Sequence, residues 1–463
     1  MTGKTLRKGR GRRGGAGLAA LLAAAMGLGA GAGAARADDG YGCGDILTAG
    51  AQASVEGAGG MFFRFGPDLS SYHWIGDQGI DQLARLSARL AEQGTRLIYV
   101  PVPSKSLTMP DRVPPSAVRM GYDPEIAASV YGEMLRRLDE AGVTAIDARL
   151  ALRQQALRGA DPVFQADPRL TPDGAEALAL AIAAQIRALP VMADSADEDW
   201  QVTRRGEIVL PSAMRMRLQS SCVAELPDVR LPIIEATRGG VLLPAAIGTG
   251  HGTGHGTANS PLGQAAPVVV VGTEIAVDPA LGLASFLAAE ARMGVAAAMV
   301  PGEDRLADAF GAISSYMGSA AFAAERPRVL VWANPVWLNL GRHGARPMDE
   351  LITLAGAPAT CGLNLPLSQA RDGNVYAELS GPVRHGALLL DTGGRALDRV
   401  EFRFTSVRGE TRARIVERHP RQAPTARVAM PLSGLWPEGA ARVDIVTDGP
   451  IGGQPRLTLC EEI

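Results

Sequence analysis

The sequence predicts a doubly wound α/β layer built on a parallel sheet, followed by an all-β sandwich. Three observations carry that reading. Strand-like and helix-like stretches alternate from residue 95 to residue 189, the order that parallel βαβ units require. Val268-Val269-Val270-Val271 lies between Pro267 and Gly272, and a continuous β-branched run marks a strand buried on both faces. Beyond Cys361, turn residues recur every ~8–12 positions with short alternating runs between them, the pattern of a sandwich.

The chain opens with residues 1–37, which carry seven basic residues and no acid. A short apolar run at 18–28 and Ala35-Arg36-Ala37 ahead of Asp38 complete the layout of a secretory signal peptide. The rest of the chain holds 39 basic against 48 acidic residues, a balance of -9. That excludes the basic surplus expected of a nucleic-acid binder. No later stretch supplies the ~18 apolar residues of a helical span, so an exported chain with no membrane span is expected. A chain of 463 residues, 46% hydrophobic, accommodates two or three domains. The expected division is 1–37 signal, 38–360 α/β domain and 361–463 β module.

Export gives the cysteines a meaning. Cys43, Cys222, Cys361 and Cys460 are even in number, which in an oxidising compartment predicts two disulfides. Of the three connectivities, Cys43–Cys222 with Cys361–Cys460 lets each bridge bracket one domain.

In the α/β part, Gly60-Met61-Phe62-Phe63-Arg64-Phe65 reads as a strand or entry segment. Residues 77–93 form a helix, with Ile80, Leu83, Leu86 and Leu90 on one face at spacings of three and four. Residues 95–102 are a buried strand that delivers Pro103-Ser104-Lys105-Ser106 at its carboxyl end, where open α/β sheets place their chemistry. A helix at 123–141, a short strand at 143–146 and a helix at 149–157 follow. Thr171 is a good N-cap and Pro172 a good first residue for a helix at 173–189. Residues 190–225 are acidic, then arginine-rich, and show no periodicity that assigns an element. The glycine-rich tract 247–259 carries His251 and His255. Two histidines on such a tract lack the further ligands of a metal site, so a loop is expected, with no metal and no cofactor. After the valine strand come helices at 281–293 and 305–317 and a strand at 328–332. In the β module, residues 400–405, 412–416 and 442–446 alternate.

The corner after the valine run is the candidate for chemistry. Enzymes that attack from such a turn place the nucleophile as the first polar side chain past the glycine. Here Thr273 and Glu274 occupy the corner, and no Ser or Cys does.

Taken together, Gly60-Met-Phe-Phe-Arg-Phe, Ile98-Tyr-Val-Pro-Val-Pro-Ser-Lys-Ser-Leu-Thr-Met-Pro, Thr171-Pro-Asp-Gly-Ala and Val269-Val-Val-Gly-Thr resemble the periplasmic alginate O-acetylation proteins, the AlgX/AlgJ family, and AlgX more closely. The cysteine placement and the terminal β module match that pattern as well. The resemblance runs from about Cys43 to the end. It implies an SGNH-hydrolase-like domain, a carbohydrate-binding module and a periplasmic location. It also implies a triad in which a serine attacks an acetyl donor, a histidine takes its proton and an aspartate orients the histidine.

On that pattern Asp167 matches the aspartate, Arg169 stands where the histidine should be, and Glu274 stands where the serine should be. Arginine stays protonated and cannot act as a general base. The complementary charges predict a carboxylate–guanidinium–carboxylate cluster of Asp167, Arg169 and Glu274. The nearest substitutes for the missing groups are His73 as a base and Ser104 or Ser106 as a nucleophile, against the plainer reading of a core histidine and turn-capping serines.

Past the signal, Lys105 is the sole lysine in a chain whose other cations are arginines. A point charge there suits holding an anion or buttressing the site. In the β module, Arg403, Arg412, Arg414, Arg418 and Trp436 are expected to form a cationic, partly aromatic face. Arginines grip the carboxylates of a uronate polymer in bidentate fashion.

These readings lead to a periplasmic protein of exopolysaccharide O-acetylation or secretion whose partners are an anionic, alginate-like exopolysaccharide and proteins of a secretion or acetylation complex. With nucleophile and base both replaced, a binding role is expected. The competing readings are an active O-acetyltransferase with an unconventional site and a relic esterase.

Overall fold

The structure is a computed structural model that describes residues 40–43, 53–195, 197–243, 266–300, 306–357, 359–370, 374–418, 424–449, 451 and 454–461. The expected signal at 1–37 and the His251/His255 tract lie outside the described residues. The described residues cluster as one compact unit.

Strands β1 (Ser54–Glu56) and β2 (Phe62–Arg64) form a small antiparallel ribbon. Next come β3 (Arg96–Val102), β4 (Thr144–Ala145), β5 (Gln201–Leu210), β6 (Val229–Arg238), β7 (Val241–Leu242), β8 (Val268–Thr273), β9 (Val295–Val300) and β10 (Val329–Pro335). The central sheet has the order β4-β3-β10-β8-β9 and is parallel throughout. The valine run therefore sits inside the sheet, with Val268 to Val271 fully buried. Two groups of mutually packed helices flank it: Gly76–Glu92, Leu306–Met317 and Arg346–Gly356 in one, and Ala148–Leu157, Pro172–Ala188 and Leu283–Ala291 in the other. The expected doubly wound layer is present.

Two elements departed from expectation. Between residues 201 and 242, β5, β6 and β7 form a separate three-stranded antiparallel sheet, with the helix Ala213–Gln219 between β5 and β6, where no element was assigned. Its strands carry arginines and glutamates on solvated positions, which hides the alternation. Strand β9, Val-Ala-Ala-Ala-Met-Val, was also missed, because alanine favours helix in isolation and only burial inside the sheet selects the strand.

Beyond Cys361 lie β11 (Cys361–Leu365), β12 (Ser368–Gln369), β13 (Val375–Val383), β14 (Ala387–Asp391), β15 (Arg399–Ser406), β16 (Thr411–Glu417), β17 (Arg427–Pro431), β18 (Ala440–Thr447) and β19 (Arg456–Cys460). They make two antiparallel sheets, β11-β19-β14-β17 and β12-β13-β18-β15-β16. Leu388, Leu390, Phe402, Phe404, Val443 and Ile445 fill the space between them. The four-stranded sheet is covered on its other face too: Leu389 and Ala429 join the α/β core, and the helix Arg346–Gly356 packs on β17. Burial on both faces explains why Ala387-Leu-Leu-Leu reads as a continuous apolar run while β15 alternates.

Both expected disulfides are present. Cys43 bonds Cys222, and Cys361 bonds Cys460. The second pairs neighbouring strands β11 and β19 across Cys361 and Cys460. No described helix is long and apolar enough to cross a membrane.

Candidate functional site

Strand β8 ends at Thr273, and the helical turn Glu274–Val277 begins at the next residue. The strand runs through Gly272. The glycine's lack of a side chain serves close approach: a Cβ there would meet the Ala333 carbonyl oxygen at 2.5 Å. Thr273 is buried, and its hydroxyl has no hydrogen-bond partner.

The second segment of the corner is the turn 161–171. It is pinned by backbone bonds from Phe164 N–H to Arg169 O (3.2 Å), from Thr171 N–H to Pro162 O (3.0 Å) and from Leu170 N–H to Ile275 O (2.9 Å). The last of these ties the turn directly to the Glu274–Val277 turn. Thr171 caps the helix Pro172–Ala188, its hydroxyl oxygen accepting from Gly174 N–H at 3.1 Å. Gly174 is required there, since a Cβ would lie 2.1 Å from the Pro162 carbonyl oxygen.

This scaffold holds Asp167 and Arg169 together, both buried. The guanidinium donates from Nε to Asp167 Oδ1 (2.8 Å) and from Nη2 to Oδ2 (2.9 Å), and the Arg169 backbone N–H donates to the same Oδ1 (2.9 Å). Nη2 also donates to the Pro211 carbonyl at 2.8 Å. The second carboxylate on the guanidinium is Asp278, with Nη1 to Oδ2 at 3.5 Å. Burial alone would lower the Arg169 pKa. The hydrogen bonds and charge of Asp167, then the charges of Asp278 and Glu274, outweigh it and raise the pKa. The expected cluster of Asp167, Arg169 and Glu274 thus gains a further carboxylate, Asp278, and the charge of Glu274 also acts on the guanidinium. Asp278 was missed because Asp278-Pro279 reads as a turn. Its carboxylate does accept from Ala280 N–H at 3.0 Å, but it lies one helical turn past Glu274 and reaches the same guanidinium.

Chemically, this corner holds a permanently charged donor tied to a bidentate carboxylate, a backbone carbonyl and a second carboxylate. Arg169 offers no lone pair to take a proton.

The substitute groups do not assemble a site either. Ser104 and Ser106 are fully buried. Ser104 Oγ caps the short helix Lys105–Thr108 and lies 3.1 Å from Ser106 Oγ, and Ser106 Oγ donates to the Asp68 carbonyl. The His73 Nε2 is buried without a partner, and burial pushes its pKa down to about 4. Among the described residues no group of three or more His, Cys, Asp or Glu side chains could hold a metal ion.

Of the two roles expected for Lys105, the structure favours buttressing over holding an anion. Lys105 is 2% exposed and donates from Nζ to the carbonyls of Phe62 (3.2 Å), Phe164 (2.7 Å) and Gln165 (2.9 Å). An ammonium enclosed this way meets no polymer. It buttresses the 161–171 turn from below.

The expected arginine face in the β module also divides. In the β15/β16 register, Phe402 pairs with Arg414, Phe404 with Arg412, and Arg403 with Ala413. Directly paired residues share a face, so Arg412 and Arg414 lie on the face of the buried phenylalanines and Arg403 lies on the opposite one. Arg403 pairs there with Glu401 at 2.6 Å. Arg418 is buried in a bidentate pair with Glu350 of the helix Arg346–Gly356, at 2.6 and 3.0 Å. It joins the β module to the α/β layer and faces no solvent. Arg412 sits over the Trp436 ring at 4.8 Å.

Comparison with known proteins agrees with this architecture. The family model for the SGNH hydrolase-like domain of acetyltransferase AlgX matches residues 77–336, more than half of the chain. The Pseudomonas fluorescens alginate biosynthesis protein AlgX is 21% identical over 281 residues, 60% of this chain and 54% of that protein. The chain thus spans about half the length of that curated relative. The solved structure of Pseudomonas aeruginosa AlgX superposes with a TM-score of 0.71 at 17% identity, covering 91% of this chain and 97% of the other, a likeness of fold. The O-acetyltransferase domain of Pseudomonas putida AlgJ gives 0.46 at 19% identity, covering 62% and 92%, too low to argue from. With a parallel sheet, a pinned corner after the valine strand and a family model that covers over half its length, this chain belongs to the AlgX acetyltransferase family of SGNH hydrolase-like proteins.

Proposed function

We propose that this chain is an exported, polymer-binding member of its family whose acetyl-transfer corner has lost its chemistry. One observation carries the reading: the bidentate Asp167–Arg169 pair, 2.8 and 2.9 Å long and buried. Arg169 and Glu274 take the places of the histidine and serine of the family's triad. A guanidinium cannot relay a proton from a nucleophile, and losing base and nucleophile together removes most of the rate of such an enzyme. The ligand is an anionic, alginate-like exopolysaccharide, and the protein partners are components of a secretion or acetylation complex. Two disulfides suit the periplasm, the proposed location after removal of residues 1–37. Residues 38–360 form the SGNH-like domain and 361–463 the binding module.

Hydrolysis of p-nitrophenyl acetate by the mature chain tests the catalytic half of the reading. The expected rate equals that of heat-inactivated protein, and turnover lost on Glu274→Gln would contradict the proposal. The double variant Arg169→His/Glu274→Ser tests whether those two positions alone silence the corner; activity in it and none in the parent is the expected result.

A further inference from the structure

We propose that β16 is a docking edge for an extended, acidic segment of a protein partner, which joins the five-stranded sheet of the β module as an added strand. The inference goes beyond the reading above: its ligand is a peptide, and it holds whether or not the chain binds a polysaccharide.

A sheet edge is a row of unpaired backbone N–H and C=O groups, and folded chains blunt such rows by shortness, by a bulge or by a cover. The other edges among the described strands are blunted in one of these ways. The β1–β2 ribbon has three residues a side, and β4, β7 and β12 have two each. β5 is ten residues long, but its register shifts between Arg205 and Ile208, around Gly206 at φ 54°. β11 shifts between Cys361 and Leu363. β9 is buried under the helices Leu283–Ala291 and Leu306–Met317. β17 is buried too, and its Arg427 N–H donates to the Gly318 carbonyl. β16 shares none of these devices. It is the last strand of its sheet. Its seven residues pair with β15 without a register shift, include no proline, and are exposed at every position except Arg414 and Val416, which are half-buried.

The side chains of β16 say what kind of strand fits. Thr411, Ala413 and Ile415 share the outer face with Thr405, Arg403 and Glu401 of β15. None of the three carries a charge that would repel a neighbour, and Ile415 is 46% exposed. Arg412 and Arg414 stand on the other face. Arg412 donates to the Leu435 carbonyl and Arg414 to the Pro431 and Ser433 carbonyls, which hold the guanidiniums without neutralising them. Among the described residues, neither has a carboxylate within ion-pair distance. Burial lowers the Arg414 pKa, and the charges of Arg346 and Arg412 lower it further. A second copy of this chain fits poorly: β16 paired with itself about its midpoint sets Arg414 against its own copy, and like charges directly opposite destabilise a ladder. A segment with acids at alternate positions sets a carboxylate beside Arg412 and another beside Arg414. The residues between them lie beside Ala413 and Ile415, where β-branched side chains pack. In such an added strand the backbone bonds supply affinity and the alternate side chains supply specificity.

Titration calorimetry and hydrogen–deuterium exchange of the full mature chain with an octapeptide of alternating glutamate and valine test the edge. Two further peptides carry the same side chains, one N-methylated at the glutamates and one at the valines. Only one of those two sets of backbone groups can face β16. The expected result is binding of the unmodified peptide by the parent, with exchange slowed at the amides of residues 411–417. One of the two methylated peptides should bind at least about tenfold more weakly, and so should the unmodified peptide to Arg414→Gln. A peptide of alternating lysine and valine should not bind. A thermal melt checks the fold of Arg414→Gln, and the methylated peptides test the edge on the parent alone. If both methylated peptides bind as well as the unmodified one, charge alone attracts it and no strand is added, so the proposal fails. It fails equally if the parent binds no peptide at millimolar concentration, or if exchange slows elsewhere and not at 411–417. A parent that sediments as a dimer with those amides already protected would show a second copy on the edge and overturn the proposal too.

Discussion

Arg169 at the corner of the parallel sheet and Arg414 at the edge of the β module are both largely withdrawn from water, and their charges are answered in opposite ways. Arg169 meets Asp167 at 2.8 Å and Asp278 at 3.5 Å, and its pKa rises. Arg414 donates to two carbonyls, and burial, then the charges of Arg346 and Arg412, lower its pKa. Where carboxylates answer the charge, the site is closed and acts as structure. Where only backbone dipoles answer it, the charge remains available to a ligand. The position at which an enzyme of this fold would act is of the first kind.

The comparison breaks if compensated arginines prove dispensable to the fold. The largest effect is expected at the Arg418–Glu350 pair, both side chains at most 7% exposed. Arg418→Ala strands a buried carboxylate and should cost about 3–5 kcal/mol in chemical denaturation. Arg169→Ala strands Asp167 in the same way, but Asp167 keeps the Arg169 backbone N–H as a donor. A loss of about 2–3 kcal/mol is expected there, with Arg169→Lys recovering less than half because it cannot make the fork.

A third compensated pair gives a pH signature. Burial alone would raise the Asp68 pKa. The charge and hydrogen bonds of Arg64, with the charge of Lys105, override burial and lower it. A depressed carboxylate contributes stability that is fully present above its unfolded pKa of about 3.9 and is lost as pH falls through the folded value. Melting temperature should therefore fall more steeply below pH 4 in the parent than in Asp68→Asn. The smallest effect sharpens the contrast: Arg346→Gln relieves repulsion on Arg414 and should change stability by no more than about 0.5 kcal/mol, in either direction.

Much of the architecture was legible because period and punctuation agreed with tertiary context. The helix read over 77–93 spans Gly76–Glu92, and Thr171 caps the helix that begins at Pro172. The valine run is the buried strand it looked like. What stayed hidden depended on distance in sequence. Asp278 and Arg169 are 109 positions apart, and the ion pair between them needs the Leu170–Ile275 backbone bond that no local pattern shows. Whether Lys105 holds an anion or buttresses the site was not legible, because the carbonyls of Phe62, Phe164 and Gln165 that it meets lie far from it in sequence. The arginine face was read along one strand at a time, and only the β15/β16 register shows that Arg403 and Arg414 point to opposite sides. Arg346 was not singled out at all, since it belongs to a helix outside the β module.

Intact-mass spectrometry of the mature chain during incubation with an activated acetyl ester, the reaction quenched in acid, tests the central claim most directly. A corner closed by Asp167, Arg169 and Asp278 predicts a mass unchanged from that of the untreated protein at every time point. An acetyl ester that accumulates on a serine or threonine of the corner and then clears with turnover would contradict the account.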